Sequence, residues 1–348
     1  MPQFMEVNFV NPLCDSEWDQ LAVLHPDYAF SHSGAWAKVL AKTYGHKPVY
    51  LRCSQHGELV ALIPMMEISS PLTGRRGVCL PFTDFCSPLI FVEGAPAPVI
   101  EKLADVARER KWEFFEIRGG SAINASATPA LEFYGHTLDL RRGTQYLFAR
   151  LKSSARRALR KAERSCMSVQ VTRTREAMLE FYRLHIRTRR RHGLPPQPFS
   201  FFLNIHEEII RPALGFVVTA SVGSRCVAAA VFFHFGKTAV YKFGASDEGH
   251  QELRANNLTI WEGIRFLSQN GASTLHFGRT SLDNDGLRRF KLTWGSQEER
   301  IMYFKFDRMA KRWVTRRDAA SGFHQVVFAR LPLALNRLAG AVIYPHLD

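Results

Sequence analysis

The sequence predicts a mixed α/β (α+β) fold in two domains, each a mixed sheet flanked by helices. Three observations carry this expectation. The order hairpin, helix, strand occurs twice along the chain, and no third copy follows, which marks a duplicated domain and not a solenoid. The length, 348 residues, exceeds what one hydrophobic core usually holds. The balance of 46% hydrophobic and 22% charged residues belongs to a globular protein, not to a disordered or membrane-spanning one.

Taken in order, residues 48–53 ("PVYLRC") alternate, turn through "SQHGE" and continue as "LVALIPMMEI", a β-hairpin with Gly57 at its turn. "APVIEKLADVARER" has helical spacing, and "WEFFEIRGG" follows as a strand. The segment "RGTQYLFARL" reads as the last strand of a first domain covering 1–150. A helix, "KSSARRALRKAERS", then opens a second domain over 151–308, with Ser153 or Ser154 as its N-cap. In that domain "FVVTAS", "VGSR" and "CVAAAVFFHF" repeat the hairpin around Gly223; "NLTIWEGIRFLSQNG" is the helix and "STLHFGRT" the strand. "NDGLRRFKLTWGS" has the residue types of a strand entering a core, yet it sets Lys291 between Phe290 and Trp294. A lysine there must either snorkel to water or hold a charge beside a substrate. Residues 309–348 form a helical tail. Its last stretch, "GFHQVVFARLPLALNRLAGAVIYPHLD", is apolar but broken by Arg330, Pro332, Asn336 and Arg337, so it is no transmembrane span. It reads as a helix docked on the second domain or as an interfacial helix.

The formal net charge of +14 is concentrated. Between residues 150 and 191 a dense run of arginines and lysines has only Glu163, Glu176 and Glu180 as acidic company. Such a run implies a phosphate-bearing or polyanionic partner, or an anionic membrane surface. Arg156, Arg160 and Arg164 fall four apart on one helical line, and Arg157 and Lys161 form the adjoining one. Such a stripe makes nucleic-acid binding strongly salt-dependent. The six cysteines show neither a CxxC pair nor zinc-ligand spacing, which suits a reducing compartment and implies no metal. The N-terminus lacks a basic region followed by an apolar run, so the expected location is cytoplasmic.

The order "FSHSGAWAKVLAKTYGHKPVYL", "LPFTDFCSPLIF", "YKFGASDEGHQELRANNLTIWEGI", "LHFGRT" and "GLRRFKLTWG" resembles the Fem-type (FemAB-like) aminoacyl/acyl transferases, double-domain relatives of the GNAT acetyltransferases. The resemblance runs over residues 5–308 and implies two GNAT-like domains. It also implies transfer of an activated acyl or aminoacyl group to an amine of a cell-envelope precursor, either a peptidoglycan-type peptide or an exopolysaccharide precursor. No heptad pair lies between Leu151 and Phe216, so the chain resembles the armless subgroup, which lacks the coiled-coil arm. Carried over by motif, the implied substrate-binding residues are Trp36, Lys38, Tyr241, Asn257 and Trp294. The Phe-Lys pair of the family is matched by Phe290 and Lys291. The chain departs from the pattern at Gln197-Pro198-Phe199-Ser200-Phe201, where an Arg-x-x-x-Tyr set for a nucleotide-linked acceptor is expected. Phe201 and the upstream Arg191 take that place.

The chemistry required is alignment of an amine with an activated carbonyl and stabilisation of the oxyanion that forms. Lys291 is the expected oxyanion-stabilising group, since a cation walled by aromatics acts in a low dielectric. No Ser/His/Asp or Cys/His pattern points to a covalent intermediate. Asp84, in "PFTDFCSP", is the candidate base, with turn capping as its alternative role, and His276 is a weaker candidate. The loop "DEGHQELRAN", where a GNAT enzyme would cradle the CoA pyrophosphate, lacks a second glycine, which weakens acyl-CoA as donor against aminoacyl-tRNA. The expected partners are tRNA on the basic stripe, the envelope precursor, and a membrane surface at the C-terminal tail. The chain is expected to be a monomer or weak dimer without a tightly bound cofactor. An acyl-CoA-dependent N-acyltransferase and a basic RNA-binding protein without chemistry are the alternatives.

Overall fold

A computed structural model describes residues 5–92, 95–120, 127–315 and 324–348. The chain divides into two compact units. One is Met1–Phe133 with Arg300–Asp318 and Tyr344–Asp348; the other is Tyr134–Glu299 with Ala319–Ile343. The division falls within the strands Leu131–Asp139 and Gln297–Asp307, not near residue 150, where the sequence reads as the end of a strand and the start of a helix. The reason is local. "RGTQYLFARL" is not a strand but the helix Gly143–Arg150, whose Phe148 ring lies 5.6 Å from Trp261, so this segment belongs to the second unit. Leu147 and Leu151, one helical turn apart, are its buried contacts.

In the first unit a four-stranded antiparallel sheet is ordered Glu6–Val10, Tyr50–Gln55, Glu58–Ile63, Leu89–Ile90. A second sheet runs Lys47–Pro48, Met66–Ser70, Gly74–Val78, Phe114–Arg118 and the 300–307 portion of the strand Gln297–Asp307. The strands Gly74–Val78 and Phe114–Arg118 are parallel, and the helix Pro96–Glu109 is the crossover between them.

In the second unit the sheet runs Ser168–Thr172, Gly215–Val222, Arg225–Phe235, Thr238–Ser246, Thr274–His276 and then Leu131–Asp139. Here too one pair is parallel, Thr238–Ser246 with Thr274–His276, joined by the helix Ala255–Gln269. The repeated unit is therefore strand, crossover helix, parallel strand. The run "CVAAAVFF" lies in the central strand Arg225–Phe235, buried along nearly its whole length. Phe232 and Ala230 pack with Ile260, Trp261 and Ile264 of the crossover helix. On the other face Phe243 sits 6.1 Å from Phe181 of the helix Arg175–Arg191. Both hairpin turns carry their glycine at positive φ, Gly57 at 83° and Gly223 at 55°.

Two further expectations change. The basic helix spans Ser153–Glu163, but Lys152 and not a serine is its N-cap, with no side-chain cap. The Lys152 N–H donates to Thr293 O at 2.9 Å, which fixes the start one residue early. "NDGLRRFKLTWGS" is not a strand; it contains the helix Asp285–Leu292, started by Asn284, whose side chain accepts from the Leu287 N–H at 3.0 Å.

Both units bury neutral histidines. His32 Nε2 lies 2.8 Å from Ser87 O, His46 Nε2 lies 3.4 Å from Pro345 O, and His185 Nε2 lies 2.9 Å from Gln197 Oε1. Burial lowers their pKa from 6.5 to about 4, about 4 and about 3 respectively. A histidine with a depressed folded-state pKa binds fewer protons folded than unfolded, so stability is full above 6.5 and falls as pH drops below it. Each of the three should cost roughly 2 kcal/mol between pH 7 and pH 5. Urea unfolding at the two pH values is expected to show a lower midpoint at pH 5; equal midpoints would contradict neutral burial.

Candidate active site

In the second unit the strands Thr238–Ser246 and Thr274–His276 pair only at Thr238/Thr274, Ala239/Leu275 and Val240/His276. Beyond that point the first strand runs on to Ser246, and the two part. A bulge helps to turn it: Val231 pairs with Phe243 and Phe232 with Tyr241, leaving Lys242 as the extra residue. Tyr241 and Phe277 face each other edge to face across the parting, 6.2 Å between centroids. A Cβ at Gly244 would run into the Tyr241 hydroxyl, so glycine there is what lets the phenol fold back along its own strand. Burial raises the Tyr241 pKa, which keeps the hydroxyl protonated.

Lys291 stands at the same place. It lies in the last turn of the helix Asp285–Leu292, and its side chain turns inward, leaving the residue only 5% exposed. Its Nζ donates to Gly278 O at 2.7 Å and to Arg279 O at 2.9 Å, the carbonyls that follow the last paired residue of Thr274–His276. Around it Phe290 meets Trp294 edge-on at 6.0 Å, and Phe277 stacks with Trp294 at 6.4 Å. The loop is held from its other side by His276, whose Nδ1 accepts the Gly278 N–H at 2.9 Å. That acceptance puts the His276 proton on Nε2, which lies 3.8 Å from Glu299 Oε1.

Behind the ammonium lies a chain of groups that sequence reasoning missed. His136 is fully buried, with Nε2 3.2 Å from Glu298 Oε2. Glu298 is gripped by Arg288 through Nε at 2.7 Å and a second nitrogen at 2.8 Å, and the Arg288 guanidinium sits 4.1 Å above the Tyr134 ring. Burial, then the Lys291 charge, lowers the His136 pKa, so the imidazole is neutral beside a buried cation. Its only sequence signal was a histidine within the alternation "EFYGHTLDL", some 150 residues from its partners.

The remaining expected residues divide between the units. Trp36 and Lys38 lie on the helix Gly34–Tyr44 of the first unit, with Trp36 buried and its Nε1 donating to Pro81 O at 3.3 Å. Asp84 is half-buried on a loop whose carbonyls are fixed one after another. Thr83 Oγ1 donates to Leu80 O (2.6 Å), Tyr303 Oη to Asp84 O (2.7 Å) and Ser31 Oγ to Phe85 O (2.8 Å), and an Arg118 nitrogen reaches Leu80 O and Thr83 O (3.3 and 3.4 Å). The bonds hold Leu80 and Phe82 at positive φ, 50° and 57°, a strained backbone for such residues. Phe201 and Trp294 are fully buried in the second unit, and Phe201 lies 6.2 Å from Phe243. Asn257 is half-buried near the start of the helix Ala255–Gln269, and Arg191 is exposed at the end of Arg175–Arg191. Arg157, Arg160, Lys161 and Arg164 are exposed and Arg156 half-buried, while Ala155, Leu159 and Ala162 form the inner face. The loop before the crossover helix makes its left-handed turn without a second glycine. Arg254, just before the crossover helix, itself adopts the left-handed conformation at φ 58°, and the helix starts with no side-chain cap. The Asn257 and Leu258 N–H groups donate to Arg254 O at 3.0 and 3.3 Å, which closes the first turn on that carbonyl.

Residues 149–292 match the Acetyltransferase (GNAT) domain family, so the second unit carries a GNAT domain. No curated protein matches the sequence. Among solved structures, FemX superposes with a TM-score of 0.68 at 14% identity, covering 85% of this chain and 96% of its own. A tandem GNAT protein from the clavulanic acid biosynthesis pathway gives 0.55 at 10% identity, covering 88% and 99%. L-PGS from Bacillus licheniformis gives 0.54 at 14% identity, covering 94% and 97%. The fold is that of a tandem GNAT protein.

Two substitutions probe the geometry without assaying activity. Lys291→Met strips two carbonyls of their donor and should destabilise the chain by roughly 2 kcal/mol in urea unfolding. Gly244→Ala should cost roughly 1–3 kcal/mol by overpacking. In a Tyr241→Phe background, where the methyl meets no hydroxyl, the cost should shrink. Equal costs in both backgrounds would refute the contact.

Proposed function

We propose that this GNAT-type acyltransferase moves an activated acyl or aminoacyl group onto an amine of a cell-envelope precursor, with Lys291 stabilising the oxyanion. The observation that carries the reading is the buried ammonium fixed on the Gly278 and Arg279 carbonyls where two parallel strands part within the GNAT domain. The amine nitrogen bonds to the carbonyl carbon, and negative charge builds on its oxygen. As the intermediate collapses, the C–O bond of an ester or the C–S bond of a thioester breaks, and the leaving hydroxyl or thiol takes the proton that the amine gives up. A positive charge already desolvated needs no reorganisation as the oxyanion forms. The rings of Tyr241 and Phe277 form an apolar wall suited to the acyl chain.

The exposed stripe Arg157, Arg160, Lys161 and Arg164, with Arg156, favours aminoacyl-tRNA as donor, since a row of cations four apart suits a phosphate backbone. FemX, the solved structure with TM-score 0.68, supports an envelope acceptor by likeness of fold. A second reading rests on Arg254: its left-handed turn into the helix Ala255–Gln269 suits the pyrophosphate of acyl-CoA.

The test is transfer to a peptidoglycan-precursor peptide bearing a free amine, from aminoacyl-tRNA and from acyl-CoA in parallel, with the product read by mass. Lys291→Met should lower turnover at least about 100-fold with whichever donor works; an unchanged rate would remove Lys291 from the mechanism. Arg156→Glu with Arg160→Glu and Arg164→Glu should abolish transfer from tRNA. The same variant should flatten the salt dependence of tRNA binding, the log–log slope falling by roughly 0.7–0.9 for each phosphate no longer neutralised. It should leave any transfer from CoA intact. Absence of product from both donors would overturn the proposal.

A further inference from the structure

The C-terminal helix Leu333–Ile343 is docked with its polarity inverted. Its buried positions are Asn336, 1% exposed, and Gly340. Asn336 Nδ2 donates to Phe328 O at 3.0 Å, and a Cβ at Gly340 would run into Pro196 O, so the helix backbone rests directly on the unit beneath it. The large apolar side chains point outward: Leu335 is 52% exposed, Leu338 61% and Val342 57%. They stand at i, i+3 and i+7, one continuous stripe on a helix face. On the preceding helix His324–Arg330, Val326 and Val327 are also exposed, at 49% and 42%. A helix packed only for stability would turn these leucines inward.

Within the two tail helices the charges carry one sign, although the helix Arg175–Arg191 beneath them also bears Glu176 and Glu180. No acidic residue occurs between positions 319 and 347. Arg330 is exposed, and Arg337, also exposed, has its guanidinium 5.7 Å from the centre of the Tyr182 ring. Both tail helices pack on the helix Arg175–Arg191, which exposes Arg187 and Arg191. Leu333–Ile343 has 11 residues and is about 16 Å long, half of what crossing a bilayer requires. Among the described residues no helix is long and apolar enough to cross a membrane. A short helix with an apolar stripe flanked by arginines suits the plane of an anionic lipid surface, where its leucines enter the acyl boundary and its guanidinium groups meet phosphates. A second copy is disfavoured as occupant, because apposing two stripes would bring the two sets of arginines together.

We propose that the helices His324–Arg330 and Leu333–Ile343 form an interfacial anchor that seats the protein on an anionic lipid bilayer through Leu335, Leu338 and Val342. The anchor is independent of the transfer chemistry and stands or falls apart from it. The test is co-sedimentation of the full chain with vesicles of phosphatidylglycerol and phosphatidylcholine in equal parts, and with vesicles of phosphatidylcholine alone. The wild-type chain is expected to pellet with the first and not the second. Leu335→Gln with Leu338→Gln and Val342→Gln should lower vesicle partitioning at least about tenfold at an unchanged melting temperature. Arg330→Gln with Arg337→Gln should weaken binding to the anionic vesicles. Wild-type protein left in the supernatant with both vesicles, or a triple glutamine variant that pellets like wild type, would overturn the anchor. Equal pelleting with both vesicles would overturn the anionic preference. A vesicle-independent dimer that the glutamine variant converts to monomer would assign the stripe to a second copy instead.

Discussion

The ammonium of Lys291, held by the carbonyls of Gly278 and Arg279, is the interaction on which the second unit's site depends. Taking a lysine charge out of water is costly unless other dipoles solvate it. Two main-chain carbonyls in a fixed loop do so here. The arrangement works both ways: the carbonyls make burial tolerable, and the ammonium holds the segment after His276 away from the neighbouring strand. His276 fixes the same segment through the Gly278 N–H. The parting of the parallel strands is thereby a built feature and not a fraying end.

The duplicated motif has a counterpart of this arrangement in the first unit, with another cation and another outcome. There the strands Gly74–Val78 and Phe114–Arg118 also pair in parallel over three residues, Arg76/Phe114 to Val78/Glu116. The chain does not leave the strand ends open. Cys79 N–H reaches Glu116 O at 2.8 Å, and the loop returns so that Cys86 N–H reaches Arg118 O at 2.7 Å. Arg118 binds the carbonyls of Leu80 and Thr83, as Lys291 binds those of Gly278 and Arg279, but it is also paired with Glu116 at 2.8 Å. One copy of the motif is filled by its own loop and pairs its arginine with Glu116; the other sets a lysine on two loop carbonyls at the strand ends. This asymmetry distinguishes the two copies, and the copy matched by the GNAT domain family is the second.

Much of the fold was legible in the sequence because hairpins and crossover helices write their periodicity locally. "PVYLRC" with Gly57, "FVVTAS" with Gly223, and both crossover helices lie where their patterns put them. The segments misread as strands, 143–150 and 285–292, are short helices rich in residues of mixed propensity, and tertiary contacts such as Phe148 on Trp261 decide them. Lys291 could be singled out because a lysine among aromatics is anomalous in one dimension. His136 and Glu298 could not, since only strand register brings them together. Arg254 shows the limit of reasoning from residue type: the left-handed turn was there, but the glycine expected to mark it was not.

The chain first leaves the first unit between Phe133 and Tyr134 and re-enters it between Glu299 and Arg300, both times in mid-strand, and it crosses twice more by Tyr344. The first unit thus draws a strand of its sheet, residues 300–307, from chain that follows the whole GNAT domain. During synthesis the amino-terminal segment must wait, with the edge of Phe114–Arg118 unpaired, until the ribosome has delivered the later domain. Folding order is inverted with respect to chain order: the unit begun first is completed last. Sequences upstream of residue 133 are consequently those with the longest exposure to chaperones and to aggregation.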